Sequence, residues 1–149
     1  MLQLFRSQLR WWQKPLARFR ERDLPAELVV LHCQTRPDES GAWLNSRGTS
    51  SGVIDLVREA GGKFRSVRAP LPEFVQTVLT ELYRLGLSRG APDLVLWNSQ
   101  SRQVRFVEVK CPHWDRPSSM QLEFHAAAKE AGCPVEIVEW EFVDEAPAA

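Results

Sequence analysis

Residues 88–121 read SRGAPDLVLWNSQSRQVRFVEVKCPHWDRPSSMQ, and two short apolar runs inside this stretch decide the fold. LVLW and VRFVEVK are rich in Val, Leu, Phe and Trp, and the NSQSRQ between them favours a turn, so the spacing predicts a β-hairpin. Asp93 heads the first strand after the Gly90-Ala91-Pro92 turn, and Glu108 lies in the second, with fourteen residues between the two carboxylates. Pairing the strands brings Asp93 near Glu108.

Side chains alternate along a strand, so Val104, Phe106, Glu108 and Lys110 share one face, and Arg105, Val107 and Val109 the other. Glu108 and Lys110 are therefore neighbours at the end of an apolar strand, where an unpaired buried charge is costly. A divalent cation held by Asp93 and Glu108 would satisfy the acids, with Lys110 beside it to handle a water. Mg²⁺ suits such a pair because it takes hard oxygen ligands and often uses only one or two carboxylates plus phosphate oxygens. The plainer alternative makes Glu108 and Lys110 solvated strand-end charges and Asp93 a turn residue. Both acids fall on predicted strands, which favours the site.

On either side of the hairpin the chain reads as helix. Residues 72–87 (PEFVQTVLTELYRLGL) form an amphipathic pattern with Phe74, Val75, Val78, Leu82 and Leu85 inward and Pro72 at the helix start. Pro117-Ser118-Ser119 caps a second helix that ends at Gly132, with Gln121 and His125 on one face. A final strand follows in PVEIVEWEF, and DEAPAA reads as a frayed tail. Helix, strand, strand, helix, strand implies an α/β fold with a central sheet flanked by helices.

Nearer the N-terminus the signals differ. Residues 1–22 read as an amphipathic helix, whole or broken near Pro15, with Arg6, Arg10, Lys14, Arg18 and Arg22 forming a cationic stripe every four residues. Such a stripe could lie along a phosphate backbone or merely be wet. LVVLHC in residues 28–33 fits either a strand or a buried helix turn. Residues 35–52 are loop-like, and residues 53–60 read as a short helix ended by Gly61-Gly62. The expected division is a basic helix and flexible segment over 1–52 and a core over 53–145. A second basic group, Arg47, Arg58, Lys63, Arg65 and Arg68, is either DNA-facing or an ordinary solvated face.

The chain has 149 residues, 44% hydrophobic and 26% charged, which fits one compact domain with a real core. No apolar run is long enough for a membrane helix, so no membrane partner is expected. Cys33, Cys111 and Cys133 form neither an even framework nor a C-x-x-C pair, so a reducing, cytoplasmic setting is the default. Net charge is zero, which argues against a generic nucleic-acid coating protein and leaves phosphate affinity to local patches.

The Gly-x-Pro-Asp-Leu strand, NSQSR turn and VEVK strand, in this order, resemble the virus-type replication-repair nuclease (VRR-NUC) domains of the PD-(D/E)XK superfamily, in the version that ends the Fanconi-associated nucleases. The likeness runs from about residue 54 to 142. It implies a restriction-endonuclease-like core, a central mixed sheet flanked by helices, and Mg²⁺- or Mn²⁺-dependent hydrolysis of DNA. Asp93 and Glu108 would be metal ligands, the Val109 carbonyl a further ligand, and Lys110 the residue that positions or activates water. Gln121 would touch the site or a phosphate, and Arg116 would hold a phosphate or pair with Asp115. Lys110-Cys111-Pro112-His113-Trp114-Asp115-Arg116-Pro117-Ser118 departs from the family's Lys-Gly-Pro-x-Asp-Arg-Leu-Ser by Cys for Gly, one extra residue and Pro for Leu. The family also uses an acid from an upstream helix, for which Glu39 and Glu81 are the candidates. DNA, in branched, flap or duplex form, is the expected substrate and partner, with Arg6, Arg10, Lys14 and Arg18 as further contacts, and the alternatives are a DNA-degrading toxin met by an immunity protein, a homodimer around a duplex, or a module that binds without cutting.

Overall fold

The computed structural model describes residues 1–45 and 48–144. Arg47 and the end of the DEAPAA tail lie outside the described residues. In chain order the elements are β1 (Leu2–Trp11), β2 (Lys14–Phe19), β3 (Arg22–Leu24), α1 (Ala26–Gln34), β4 (Ser40–Trp43), β5 (Ser51–Arg58), β6 (Phe64–Pro70), α2 (Glu73–Arg84), β7 (Leu94–Trp97), β8 (Val104–Lys110), α3 (Ser119–Glu130) and β9 (Val135–Val143). The strands join in one sheet, ordered β3-β2-β1-β9-β8-β7-β4-β5-β6. Strand β9 pairs parallel with β8 through Val135–Glu139 and with β1 through Trp140–Val143, and the other pairs are antiparallel. The sheet is therefore mixed, as expected.

The hairpin β7–β8 is its centre, with Leu94 opposite Val107 and Trp97 opposite Val104. Alternation sends Leu94, Leu96, Val107 and Val109 to the face covered by α1, whose Leu28, Val29, Val30 and Leu31 are all buried. Val95, Trp97, Val104 and Phe106 go to the opposite face, against Val75, Leu79 and Leu82 of α2 and Phe124 and Ala128 of α3. Phe106 meets Phe124 edge to face at 5.4 Å. Each such side chain, removed from water, contributes about 1.5–3 kcal/mol.

Three upstream expectations are corrected. The basic helix of residues 1–22 is a β-meander instead, β1 to β3, with a register shift between Arg6 and Arg10. A cation every fourth residue keeps to one face of a helix, but four is also a multiple of two, so the same stripe keeps to one face of a strand. VIDLVR belongs to strand β5, and Gly61-Gly62 turns a hairpin rather than ending a helix: Gly62 takes φ +84°, its N–H donates to the Glu59 carbonyl (2.9 Å), and Glu59 N–H donates to Lys63 O (2.8 Å). The loop-like residues 35–52 contain β4, which pairs along the whole of β7. The expected division at residue 52 falls inside β5.

Candidate active site

Asp93 is delivered by a close packing contact. Ser88–Gly90 form one 3₁₀ turn against the start of α3, and a Cβ on Gly90 would stand 2.2 Å from the Met120 carbonyl oxygen. Only glycine allows that approach. Beyond Pro92, the Asp93 carbonyl accepts the Leu44 N–H (2.7 Å), and its Oδ2 accepts the Val109 N–H (2.8 Å). Extending the β7–β8 register by one residue sets Asp93 opposite Glu108.

Glu108 is fully buried, with Lys110 Nζ 3.3 Å from its Oε1. Gln121 Nε2 donates to the same oxygen (3.1 Å), and His125 Nε2 lies 3.5 Å from Oε2. Gln121 also starts α3 through a capping box, in which its Oε1 accepts the Ser118 N–H while Ser118 Oγ accepts the Gln121 N–H. The cap thus fixes the side chain that touches Glu108. Lys110 Nζ also donates to Asp115 Oδ2 at 3.0 Å.

The electrostatics follow from this crowding. Burial, then the Glu108 charge and a hydrogen bond shared with it, push the Asp93 carboxyl up to about 8, against the opposing Val109 N–H. Burial also raises Glu108, although Asp93 and Lys110 pull it back. For Lys110, burial acts downward, but the Asp115 hydrogen bond and the charges of Glu108, Asp115 and Asp93 outweigh it and raise its pKa. Lys110 is therefore a cation at neutral pH. Burial, with Lys129 and Lys110, lowers His125, which leaves a neutral ring beside Glu108.

A further acid whose charge acts on the pair, and which the sequence did not single out, is Glu27, in the first turn of α1. Its charge acts on Asp93, its Oε1 pairs with Lys14 at 2.7 Å, and its Oε2 is buried without a hydrogen-bond partner. Glu27, Val109, Lys14, Trp114, Asp115 and Trp140 line one cavity of ≈260 Å³. The signal was Pro25-Ala26-Glu27, a proline at a helix start with an acid in the first turn. The two acids expected in this role stand elsewhere. Glu39 precedes Ser40, which pairs with Trp97 at the far end of β7 from Asp93, and it grips Arg105 through two bonds of 2.8 and 2.9 Å. Glu81 is an exposed partner of Arg84 on α2.

Three cations of the stripe are paired with acids. Lys14 holds Glu27, Arg18 holds Asp23 (2.9 Å), and Arg22 holds Asp55 (2.5 Å) and the Leu56 carbonyl. Arg6 lies over the Phe142 ring at 4.4 Å, while Arg10 and Arg116 are exposed. Asp115, the expected alternative partner of Arg116, is taken by Lys110. In the second basic group, Arg65 pairs with Glu59.

Among the described residues no three histidine, cysteine or acidic side chains form a ready-made cation cage. The donor set nevertheless suits a hard divalent ion: two adjacent carboxyls that resist joint ionisation, a main-chain carbonyl, and the orphaned Glu27 oxygen nearby. Ions of the Mg²⁺ type complete such partial sets with water or phosphate oxygens.

The profile of the VRR-NUC domain matches residues 63–140, more than half of the chain and all of Asp93, Glu108, Lys110 and Gln121. The chain belongs to the VRR-NUC family. Among curated proteins it is similar to Fanconi-associated nuclease 1 of Homo sapiens, 50% identical over 48 residues that make up 32% of this chain and 5% of that protein. To the Mus musculus protein of the same name it is 31% identical over 129 residues, 79% of this chain and 12% of that one. The chain thus spans a small fraction of the length of these relatives. Two crystal structures of paFAN1, bound to 5′-flap DNA with a gap, share 24 and 27% identity over about half of this chain, with TM-scores of 0.39 and 0.36. They cover 16 and 14% of those chains. Glu27 lies upstream of the VRR-NUC match, on an element that the matched stretch does not include.

Proposed function

We propose that this VRR-NUC chain hydrolyses phosphodiester bonds in DNA with Mg²⁺ or Mn²⁺. The observation that carries the reading is the juxtaposition of Asp93, raised to about 8, with the fully buried Glu108 and the cationic Lys110. Buried like charges are costly, and a strand end that retains them invites a cation and an anionic substrate. Membership of the VRR-NUC family and the names of the curated relatives support nuclease chemistry, with DNA as the substrate class.

Asp93, Glu108 and the Val109 carbonyl would hold the cation, with Glu27 lining the cavity that Val109 also borders. The bound ion supplies positive charge against the phosphate and acidifies water. Lys110, already protonated and fixed between Glu108 and Asp115, donates a hydrogen bond that aims the attacking water rather than accepting its proton. Gln121 orients Glu108 from the start of α3, and neutral His125 shields its second oxygen. The Asp93–Glu108 pair gives up its proton on loading, since metal ligands bind deprotonated.

The test is cleavage of labelled flap, forked and plain duplex DNA by wild type and Lys110→Ala, with Mg²⁺, Mn²⁺ and EDTA in parallel. Metal-dependent cutting that falls roughly 10²–10³-fold in the variant is expected, the size of losing one preorganised donor. Wild type that binds these DNAs and cuts none of them would instead make the chain a non-cleaving module. Growth arrest on expression, abolished by Lys110→Ala, is the result that would assign the same chemistry to a DNA-degrading toxin.

A further inference from the structure

We propose that Trp114 is a stacking platform for an unpaired base of the DNA strand being cut. This rests on the phosphodiesterase reading of the site and names one side chain through which such a site would hold its substrate. Trp114 sits in the loop between β8 and α3, four residues after Lys110, and is 60% exposed. A large rigid aromatic left this open beside a cavity that holds Lys14, Glu27 and Asp115 has an apolar face that the fold does not cover.

Its position is fixed from two sides. Trp114 N–H and Asp115 N–H both donate to the Cys111 carbonyl (3.0 and 2.8 Å), and the Asp115 carboxylate takes Lys110 Nζ. Behind the indole stand Trp140, at 5.7 Å and 81°, and Phe142, at 5.9 Å and 55°, which also meet each other edge to face at 4.8 Å. Arg6 lies over Phe142, so the aromatic group has a cationic flank. Trp114 also lines the ≈260 Å³ cavity that holds Glu27, Val109 and Asp115. A group resting on the indole is therefore next to the place where a scissile phosphate would be held.

A nucleobase is the occupant this arrangement fits. Every base offers a π-face and is tethered to a phosphate, so an aromatic shelf with a neighbouring anion site takes a nucleotide as one unit. A base inside an intact duplex is already stacked on both sides and must first be splayed out, at a cost of unstacking. Flap, fork and single strand are thus favoured over plain duplex. Because the loop of Trp114 carries the partner of Lys110, stacking there also settles the lysine that aims the water.

The experiment is a cycle of protein variant against abasic substitution. Wild type, Trp114→Ala and Trp114→Phe are titrated with forked DNA in EDTA, and an abasic analogue is moved through successive unpaired positions around the cut. The expected result is a roughly tenfold weaker complex for Trp114→Ala, the size of one base–aromatic stack, with most of it restored by Trp114→Phe. One abasic position should weaken wild type by a similar factor and leave Trp114→Ala unchanged, and plain duplex should respond less. Equal affinity of wild type and Trp114→Ala overturns the proposal, and so does a loss that no abasic position reproduces, which would mark the ring as a structural lid or a protein-docking residue. Binding in EDTA needs no catalysis, so the two readings fail separately: cleavage that depends on Lys110 with a flat cycle removes only the Trp114 role, and a coupled cycle without cleavage removes only the nuclease.

Discussion

At Asp93 the folded chain keeps a proton that the unfolded chain releases. Its carboxyl rises from 3.8 to about 8 on folding, so between these values the folded state binds more protons than the unfolded one. Stability without metal therefore falls as pH rises from about 4 to about 8. Asp93→Asn removes this penalty while an amide oxygen can still accept the Val109 N–H. The variant should be more stable than wild type by roughly 2 kcal/mol at pH 8 in EDTA, with the gap closing towards pH 4, as read by urea unfolding across that range. No gain at pH 8 would show that the two acids do not repel in the folded chain. A second test separates the upstream acids. Glu27→Gln should lower cleavage by about 10²-fold with at most about 1 kcal/mol lost in urea unfolding, since Oε2 has no partner and the Lys14 pair of Oε1 is partly exposed. Glu39→Gln should do the reverse: activity holds, but about 1–3 kcal/mol is lost because Arg105 is left buried with a weaker partner. The Arg105 bond holds the Glu39 carboxyl low, so this contribution is present at neutral pH and disappears only as pH falls through its lowered pKa. If cleavage followed Glu39 instead, the assignment of Glu27 would be wrong.

Among the elements, the join between the 3₁₀ turn and α3 ties the packing to the chemistry. Gly90 touches the Met120 main chain, and the next residue along α3, Gln121, bonds Glu108. Gly90→Ala should displace the start of α3, costing about 1–3 kcal/mol and reducing cleavage more than the stability loss alone explains. Activity measured well below the unfolding temperature, set beside Ser118→Ala, which costs about 1 kcal/mol by loss of the cap alone, distinguishes the two effects. The hairpin β7–β8, helices α2 and α3 and strand β9 were legible because each carries its own period, turn and cap in contiguous residues. The N-terminal strands were not. Their repeat of four suits a helix face and a strand face alike, and what makes them strands is the open edge of β9, more than a hundred residues away. Strand β5 failed similarly: Gly61-Gly62 serves a helix end or a hairpin turn equally well, and β6 decides between them.

For the whole molecule, the placement of β1 to β3 makes the N-terminal segment part of the sheet and of the cavity wall. Leu4, Leu16, Ala17 and Leu24 share a buried cluster with α1 and the central hairpin, and Lys14 and Pro15 border the same space as Glu27. Removal of residues 1–24 should therefore abolish cooperative unfolding of the remainder instead of releasing an intact core, as read by circular dichroism during urea titration. A truncated chain with an undiminished transition would show instead that residues 1–24 are separable. The same placement takes Lys14, Arg18 and Arg22 out of a free basic surface by pairing each with an acid. No helix among the described residues is long and apolar enough to cross a membrane.

Residues 88–121 specify the hairpin, the two carboxylates, Lys110 and Gln121 without help from the rest of the chain, because a period of two, a turn and a helix cap bring residues only a few tens apart into one place. Which distant acid lies close enough to act on the pair is not written in any such stretch. The Glu27 charge acts on Asp93 only after α1 packs on the face of Leu94 and Val107 and Lys14 of β2 pairs with it. Nor does local pattern set the proton balance of the pair, since desolvation and repulsion exist only once the surrounding layers have excluded water. Neighbouring residues therefore chose the chemistry, and long-range packing chose its partners and its charge.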